Sequence, residues 1–408
     1  MECLQCVYLR YTQSTPSDEL RMELVYDSSL PHVSDVRDGV LRLLDEGETT
    51  PKQIAEINYQ LGESFAHAVL TFCHINQIDL ANEVDLISSH GQRIWHLSLP
   101  ELFHIDNTMR SNLDMAEMAI IAARTGKTTV TNFCVGEQAY GRQGAPLFGF
   151  MKALMLVHPA RTRAAQSIND IATVCFVPAD DVEGCYEFDI GPGVLLINAA
   201  VRFLTDGDHD NDDQGILGRN GIVDQGIVDE FLHQPYFAHS LPKSCGIENF
   251  DSAAAYELCE RMMDEGMSTE DCVATLTRIT AQAIVEQYAW YGPPRIDEMF
   301  LCGTGSENPN IINYLQERMP TVQLRRFEEI GIPGGATEAI CVGQLGLDCL
   351  LGRPGIVPQR VETRAPAVIG QIQPGRNWRG LTEQVAHFWE GEDLDTSADC
   401  VTTLRVVA

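Results

Sequence analysis

Residues 186–198 read YEFDIGPGVLLIN. Asp189 follows an aromatic residue, precedes a Gly-Pro-Gly turn and leads into an apolar run. A carboxylate held at the end of a buried strand can serve as a general base. The flanking glycines allow backbone to approach a phosphate or sugar, because no Cβ intervenes. The same pattern also describes the polar end of an ordinary buried strand. A second constellation, CGTGSENPN (302–310), has the order strand, glycine turn, helix, which can aim backbone N–H groups at an anion. A third, SHGQRIWH (89–96), gathers Ser89, His90, Gln92 and His96 in a polar loop where the short apolar run VDLIS ends, as in an α/β cleft. The acidic stretch DGDHDNDDQ (206–214) alternates carboxylates but lacks the glycine and glutamate of a calcium loop, so it is expected to be a solvated loop.

The elements that must carry these residues follow from periodicity. LQCVYLRY (4–11) and LRMELVY (20–26), separated by turn formers, predict a hairpin. Ile54, Ile57, Leu61, Phe65 and Leu70 follow a Thr-Pro start at helical spacing. VDLIS predicts a strand, DMAEMAIIAART (114–125) a helix stopped by Gly126, and TTVTNF another strand. In the second half, 166–178 and 184–191 read as consecutive strands, and the helix after Ser268 is capped by Asp271 three residues on. Residues 296–319 form a strand, turn and helix unit, and 336–352 a small-residue helix. The tail from 352, rich in Pro and Gly, is expected to wrap a surface. Alternating strands and helices give an α/β class.

Bulk properties narrow the function. The 408 residues are 44% hydrophobic and 21% charged, enough for two lobes with cores of their own. A formal charge of −30 argues against nucleic acid and anionic membrane as partners. No apolar run of membrane-spanning length and no secretory leader pattern occurs, so a cytoplasmic protein is expected. Thirteen cysteines scattered through apolar segments fit reduced thiols, and the pair Cys3 and Cys6 fits strand periodicity, so no metal site is expected.

Six segments in order, SHGQRIWH, GEQAYGRQGAPL, FDIGPGVLL, PYFAHSLPKSCGIENF, CGTGSENPNI and ATEAICVG, resemble the anhydro-N-acetylmuramic acid kinase family from about residue 3 to the tail. The resemblance implies a two-lobed actin-like ATPase (ribonuclease H-like) fold with an interlobe cleft. Residues 1–160 would form a first lobe lacking its first strand, 161–350 a second lobe with the adenosine-side turn, and 351–408 a tail packed on the body. It also implies ATP and Mg²⁺ as cofactors, a small amino sugar as substrate and, by analogy, a homodimer. Asp189 maps to the catalytic base, with Gly191 and Gly193 beside it. Glu117, His90, Gly91 and Gln92 map to the substrate side; Gly303, Gly305, Asn308 and Glu338 map to the nucleotide side. Tight packing of a strand against a helix is the alternative reading of both glycine turns.

Several positions depart from the family's pattern. The first strand and its phosphate loop have no counterpart, which in this superfold would expose two edges in the middle of the first lobe's sheet. SINDIAT places Asn169 and Asp170 where the family has two glycines at its second phosphate turn. NFC (132–134), Arg142, Ile190 and Ile247 replace Asp-Phe-Arg, a glycine, a threonine and an arginine on the sugar side. Three readings follow: an active sugar kinase read from a truncated sequence, a catalytically inactive pseudokinase or interaction protein of the same fold, and a repurposed hydrolase or phosphotransferase using Asp189.

Overall fold

A computed structural model describes residues 3–46, 49–99, 110–246, 249–250, 252–391 and 400–407. Thirteen strands are described: β1 (Cys3–Thr12), β2 (Leu20–Pro31), β3 (Leu86–Ser88), β4 (Gln92–Leu97), β5 (Ser111–Met115), β6 (Thr128–Thr131), β7 (Arg163–Ile168), β8 (Ile171–Val177), β9 (Tyr186–Pro192), β10 (Glu298–Cys302), β11 (Gln323–Arg326), β12 (Gln371–Gln373) and β13 (Leu404–Val407). They form a five-stranded sheet ordered β11-β10-β7-β8-β9, two three-stranded sheets ordered β1-β2-β13 and β12-β6-β3, and the pair β4-β5. The class is α/β, as periodicity predicts.

Alternation along β8 shows why the five-stranded sheet is a core element. Val174 and Phe176 join one apolar cluster, together with Phe188 and Leu276. Cys175 and Val177 join another, together with Phe150 and Phe300. Period-two side chains thus bury both faces of the sheet, which is why its strands read as continuous apolar runs. The helix Thr269–Tyr291 covers one face, its start fixed by the reciprocal Ser268–Asp271 cap. The helix Pro51–Ile75 begins with the same device between Thr50 and Gln53.

Local chemistry accounts for three departures from the predicted elements. Residues 92–97 are strand β4, not a loop, because 111–115 pairs with them; the residues predicted as the opening of a helix at 114 are the end of β5. The helix runs only over Met118–Thr125, closed by Gly126 at φ 75° as expected. The segment 166–178 divides into β7 and β8, an antiparallel pair whose turn is Asn169–Asp170. The tail returns to the first half of the chain, β12 pairing with β6 and β13 with β2.

Among the described residues β1 pairs with β2 alone and β3 with β6 alone. The two unpaired edges line one cavity of about 1010 Å³, which extends to His90, Asp170 and Glu338. The helix Thr337–Leu351 packs beside β3, where Ser88 Oγ donates to the Val342 carbonyl at 2.6 Å.

Candidate functional site

Asp189 lies on β9, every residue of which is buried. Oδ1 accepts from Thr173 Oγ1 at 2.8 Å and Oδ2 from the Cys245 backbone N–H at 3.1 Å. Tyr236 Oη donates to its carbonyl at 2.8 Å, and its own N–H reaches the Lys243 carbonyl. Burial pushes the carboxyl up to about 6; the two donors and Arg93 restrain the rise, while Glu187 adds to it. A carboxylate with this proton affinity is matched to taking a proton near neutral pH.

The loop that supplies the Cys245 N–H is anchored by Lys243. This buried ammonium donates to Gln287 Oε1 at 2.6 Å and lies 4.8 Å from the Tyr236 ring centroid. Desolvation lowers it to about 8, with Asp189 opposing that shift. From the other side, β4 and the residue just after it reach the same loop: Ser98 Oγ donates to the Ser244 carbonyl at 3.0 Å, and His96 Nε2 lies 3.5 Å from Ser244 Oγ.

Beside Asp189 stands a cluster built on β4 and β5. Arg93 Nε donates to Asp114 Oδ1 at 3.2 Å, and Nη2 contacts both His90 Nε2 and Cys134 Sγ. Burial alone would raise Asp114, yet Arg93 and the hydrogen bond from Asn112 Nδ2 hold it below the usual carboxylate range. Burial and then Arg93 lower His90, and the same two causes push His96 down to about 4. Both rings are therefore neutral at physiological pH.

At the other end of β9 three turns converge. The Asn169 carbonyl accepts from the Val194 N–H, and the Asp170 carbonyl from the Gly193 N–H, each at 2.8 Å. A Cβ at Gly193 would collide with the Asn169 carbonyl. Gly303, at φ 85°, would bring a Cβ within 2.5 Å of Asn169 Oδ1. Asn169 Nδ2 also donates to Glu338 Oε1 at 2.7 Å. These glycines are thus required by packing of one turn on another. Gly191 sits in β9 opposite Ala172, and Gly305 packs on Ile168 and Val194. Asn308 caps the helix Pro309–Arg318 by accepting from the Asn310 N–H at 3.0 Å.

Of the substrate-side candidates, His90, Gly91 and Gln92 line the large cavity with Asp170 and Glu338. Glu117 is elsewhere: it caps the helix Met118–Thr125 and accepts from Asn58 Nδ2 at 3.1 Å. Among the departures, Ile190 is buried in the apolar cluster behind β9. Asn132 follows β6 and precedes the helix Phe133–Ala139 in a left-handed conformation. Arg142 pairs with Glu137 and donates to the Ala365 carbonyl at 2.9 Å, tying the tail to the body. Ile247 lies outside the described residues.

Arg93, Asp114 and Thr173 are the members of the site that motif reading passes over. Arg93 stands inside SHGQRIWH, so its charge amid uncharged polar residues was the available signal. Asp114 and Thr173 carry none, since strand register alone brings them in. Among the described residues no group of three or more His, Cys, Asp and Glu is arranged to hold a metal ion by itself, and no helix is long and apolar enough to cross a membrane.

Residues 13–375 match the profile of a family described as anhydro-N-acetylmuramic acid kinase. Curated proteins of that description are similar along most of their length. One from Caldanaerobacter subterraneus subsp. tengcongensis is 31% identical over 87% of this chain and 90% of its own. One from a Cyanothece strain is 33% identical over 88% and 93%, and one from Bacillus cereus is 30% identical over 86% and 91%. Among solved structures, an activator of 2-hydroxyisocaproyl-CoA dehydratase from Clostridium difficile with bound ADPNP aligns over 60% of this chain and 87% of that one, at 12% identity. Its TM-score of 0.34 is too low to inform the fold.

Proposed function

Because the chain belongs to the anhydro-N-acetylmuramic acid kinase family, we propose that it opens the 1,6-anhydro ring of that amino sugar with water and phosphorylates the sugar's 6-oxygen. The observation that carries this reading is the setting of Asp189: a buried carboxyl with each oxygen held by one donor and a proton affinity raised to about 6. Asp189 accepts a proton from water as the water oxygen bonds to the anomeric carbon. The bond from that carbon to O6 breaks, and O6 becomes the phosphoryl acceptor. Thr173 and the Cys245 N–H keep the carboxylate aimed while it changes charge.

Mg-ATP, when bound, supplies the phosphoryl group and neutralises charge developing on it. Asp170 and Glu338 border the cavity. Two carboxylates suit a Mg²⁺ ion whose other ligands are phosphate oxygens and water. The pseudokinase reading draws on one contact, the Asn169–Glu338 hydrogen bond, which occupies both side chains where the nucleotide is expected.

Calorimetric titration with Mg-ATP, paired with sugar-dependent ADP release, separates the two. Saturable micromolar binding and turnover that falls on the order of 10²- to 10⁴-fold in Asp189→Asn supports the kinase. Folded protein with no nucleotide affinity and no turnover overturns it in favour of the pseudokinase.

A further inference from the structure

We propose that Lys243 is a positioning residue for this reaction: its ammonium grips three uncharged oxygens and thereby fixes the turn that aims Asp189. The inference rests on the role of Asp189 proposed above and adds the group that holds its carboxylate on target.

An ammonium has three N–H donors and no acceptor. Lys243, 1% exposed, spends them on Gln287 Oε1 at 2.6 Å and on the Tyr236 and Phe237 carbonyls, each at 3.4 Å. The rings of Tyr236, Tyr291 and Phe188 surround it, with centroids at 4.8, 5.4 and 5.9 Å. None of these oxygens or rings is charged. A neutral amine has two N–H groups and a lone pair, so losing the proton would set that lone pair against an oxygen. Gln287 cannot turn over to meet it, because its Nε2 already donates to the Phe237 carbonyl at 3.1 Å. The grip therefore requires the charged form.

What the grip holds is the frame of Asp189. The Lys243 carbonyl accepts from the Asp189 N–H at 3.3 Å, and two residues on the Cys245 N–H donates to Asp189 Oδ2 at 3.1 Å. The short helix Pro235–Ala238, whose carbonyls bind the ammonium, also sends Tyr236 Oη to the Asp189 carbonyl. Through Gln287, Lys243 ties both the turn and this helix to the long helix Thr269–Tyr291.

The titratable groups facing the ammonium are Asp189 on β9, Cys245 on the turn, and the phenols of Tyr236 and Tyr291. Burial raises both phenols above their ordinary range, so they keep their protons at pH 8. His96, which meets the turn at Ser244, is neutral. Burial lowers Lys243 to about 8, so the grip is lost as pH rises through that value.

Sugar-dependent ADP release, followed from about pH 5 to 10, tests the assignment. In the wild-type chain kcat/KM should fall above about pH 8. Lys243→Met should lower kcat on the order of tenfold to a hundredfold with KM kept within about twofold. It should also remove the alkaline limb and raise the acidic limb by about one unit, as Asp189 loses a fixed donor. Gln287→Met guards against loss of fold in that variant. It keeps the ammonium but takes its shortest acceptor, so the alkaline limb should move down by about one unit, which destabilisation alone does not produce. Cys245→Ser keeps the backbone donor and should leave the alkaline limb in place. A limb that persists in Lys243→Met, or that disappears in Cys245→Ser instead, overturns the role of Lys243 and leaves the reaction standing. Folded wild-type protein without turnover overturns the reaction and this assignment with it.

Discussion

Thr173 and Asp189 face each other as Cα partners across the β8–β9 ladder, and the threonine hydroxyl donates to the carboxylate at 2.8 Å. The register slips between Ala172 and Thr173, so a bulge sets this pairing beside the Gly191 turn. A donor to the ionised form favours it, so Thr173→Val should raise the proton affinity of Asp189 beyond its value of about 6. The acidic limb of the kcat/KM pH profile should shift upward by about one unit, in keeping with roughly 1.4 kcal/mol for one charge-assisted bond. An unmoved limb would mean that another group titrates there.

The same carboxyl makes stability depend on pH. Its folded proton affinity, about 6, exceeds the ordinary value of 3.8. Between those two pH values the folded chain keeps a proton that the unfolded chain releases. The contribution to stability is therefore complete below about pH 4 and is lost as pH rises through about 6. Asp189→Asn removes the buried charge and should stabilise the protein at pH 7 by about 2–3 kcal/mol. Urea unfolding at pH 4 and pH 7 checks this: a gain that persists undiminished at pH 4 contradicts it.

Much of the site was legible in linear segments, and what was not depended on register. Asp189, the β10 turn and the helix at 337 stand in contiguous motifs, so residue type and neighbours sufficed to single them out. Thr173 reaches Asp189 from 16 residues away, Asp114 reaches Arg93 from 21, and Cys134 reaches it from 41. No periodicity within one element specifies which strand residue will face another. Glu117 shows the converse: a glutamate just before an apolar run carries the signature of a helix cap as plainly as that of a ligand, and the cap is what the fold uses. The arginine absent at 134 was visible, whereas the arrival of the Arg93 guanidinium beside Cys134 required β4 to be a strand.

Lys152 and Glu187 form an ion pair of 2.7 Å whose side chains are 3% and 2% exposed. Burial opposes the charge on Lys152, but Glu187 more than restores it and raises its proton affinity. The second oxygen of Glu187 accepts from the Phe148 N–H at 3.0 Å, so β9 is tied to the helix Gly149–Leu156 two residues from Asp189. Removing one partner leaves the other buried and unpaired. Lys152→Met should cost about 3–5 kcal/mol, and Lys152→Met with Glu187→Met together should cost less than either alone. Additive losses in a double-mutant cycle by urea unfolding would count against the coupling.

Asn169 and Asp170 replace the glycines expected at the second phosphate turn, and Asn169 Nδ2 is bonded to Glu338. A carboxylate about 4 Å from a phosphate oxygen costs on the order of 4 kcal/mol at an effective dielectric near 20. Even a quarter of that is about fivefold in affinity. Asn169→Gly with Asp170→Gly should therefore tighten binding of ATP without Mg²⁺ at least about fivefold in calorimetric titration, while Mg-ATP, which loses a carboxylate that would hold its metal, gains less or nothing. No gain for metal-free ATP would show that this turn does not meet the phosphates.

The unpaired edge of β1 makes the last prediction. In an antiparallel pair, alternate residues of an edge strand bond their N–H groups to the neighbour, and those between point away. Because among the described residues β1 is bonded to β2 alone, every second amide on each side of the register slip between Tyr8 and Leu9 is directed toward the cavity that also meets β3. Hydrogen exchange read at single-residue level should alternate along β1, with the cavity-facing amides exchanging on the order of a hundredfold faster than their neighbours, a difference of about 2.7 kcal/mol in protection. Uniform protection along the strand would mean that another segment covers this edge in solution. The β3 edge is shorter and pinned by Ser88, and it should show the same open character at its cavity-facing amides only.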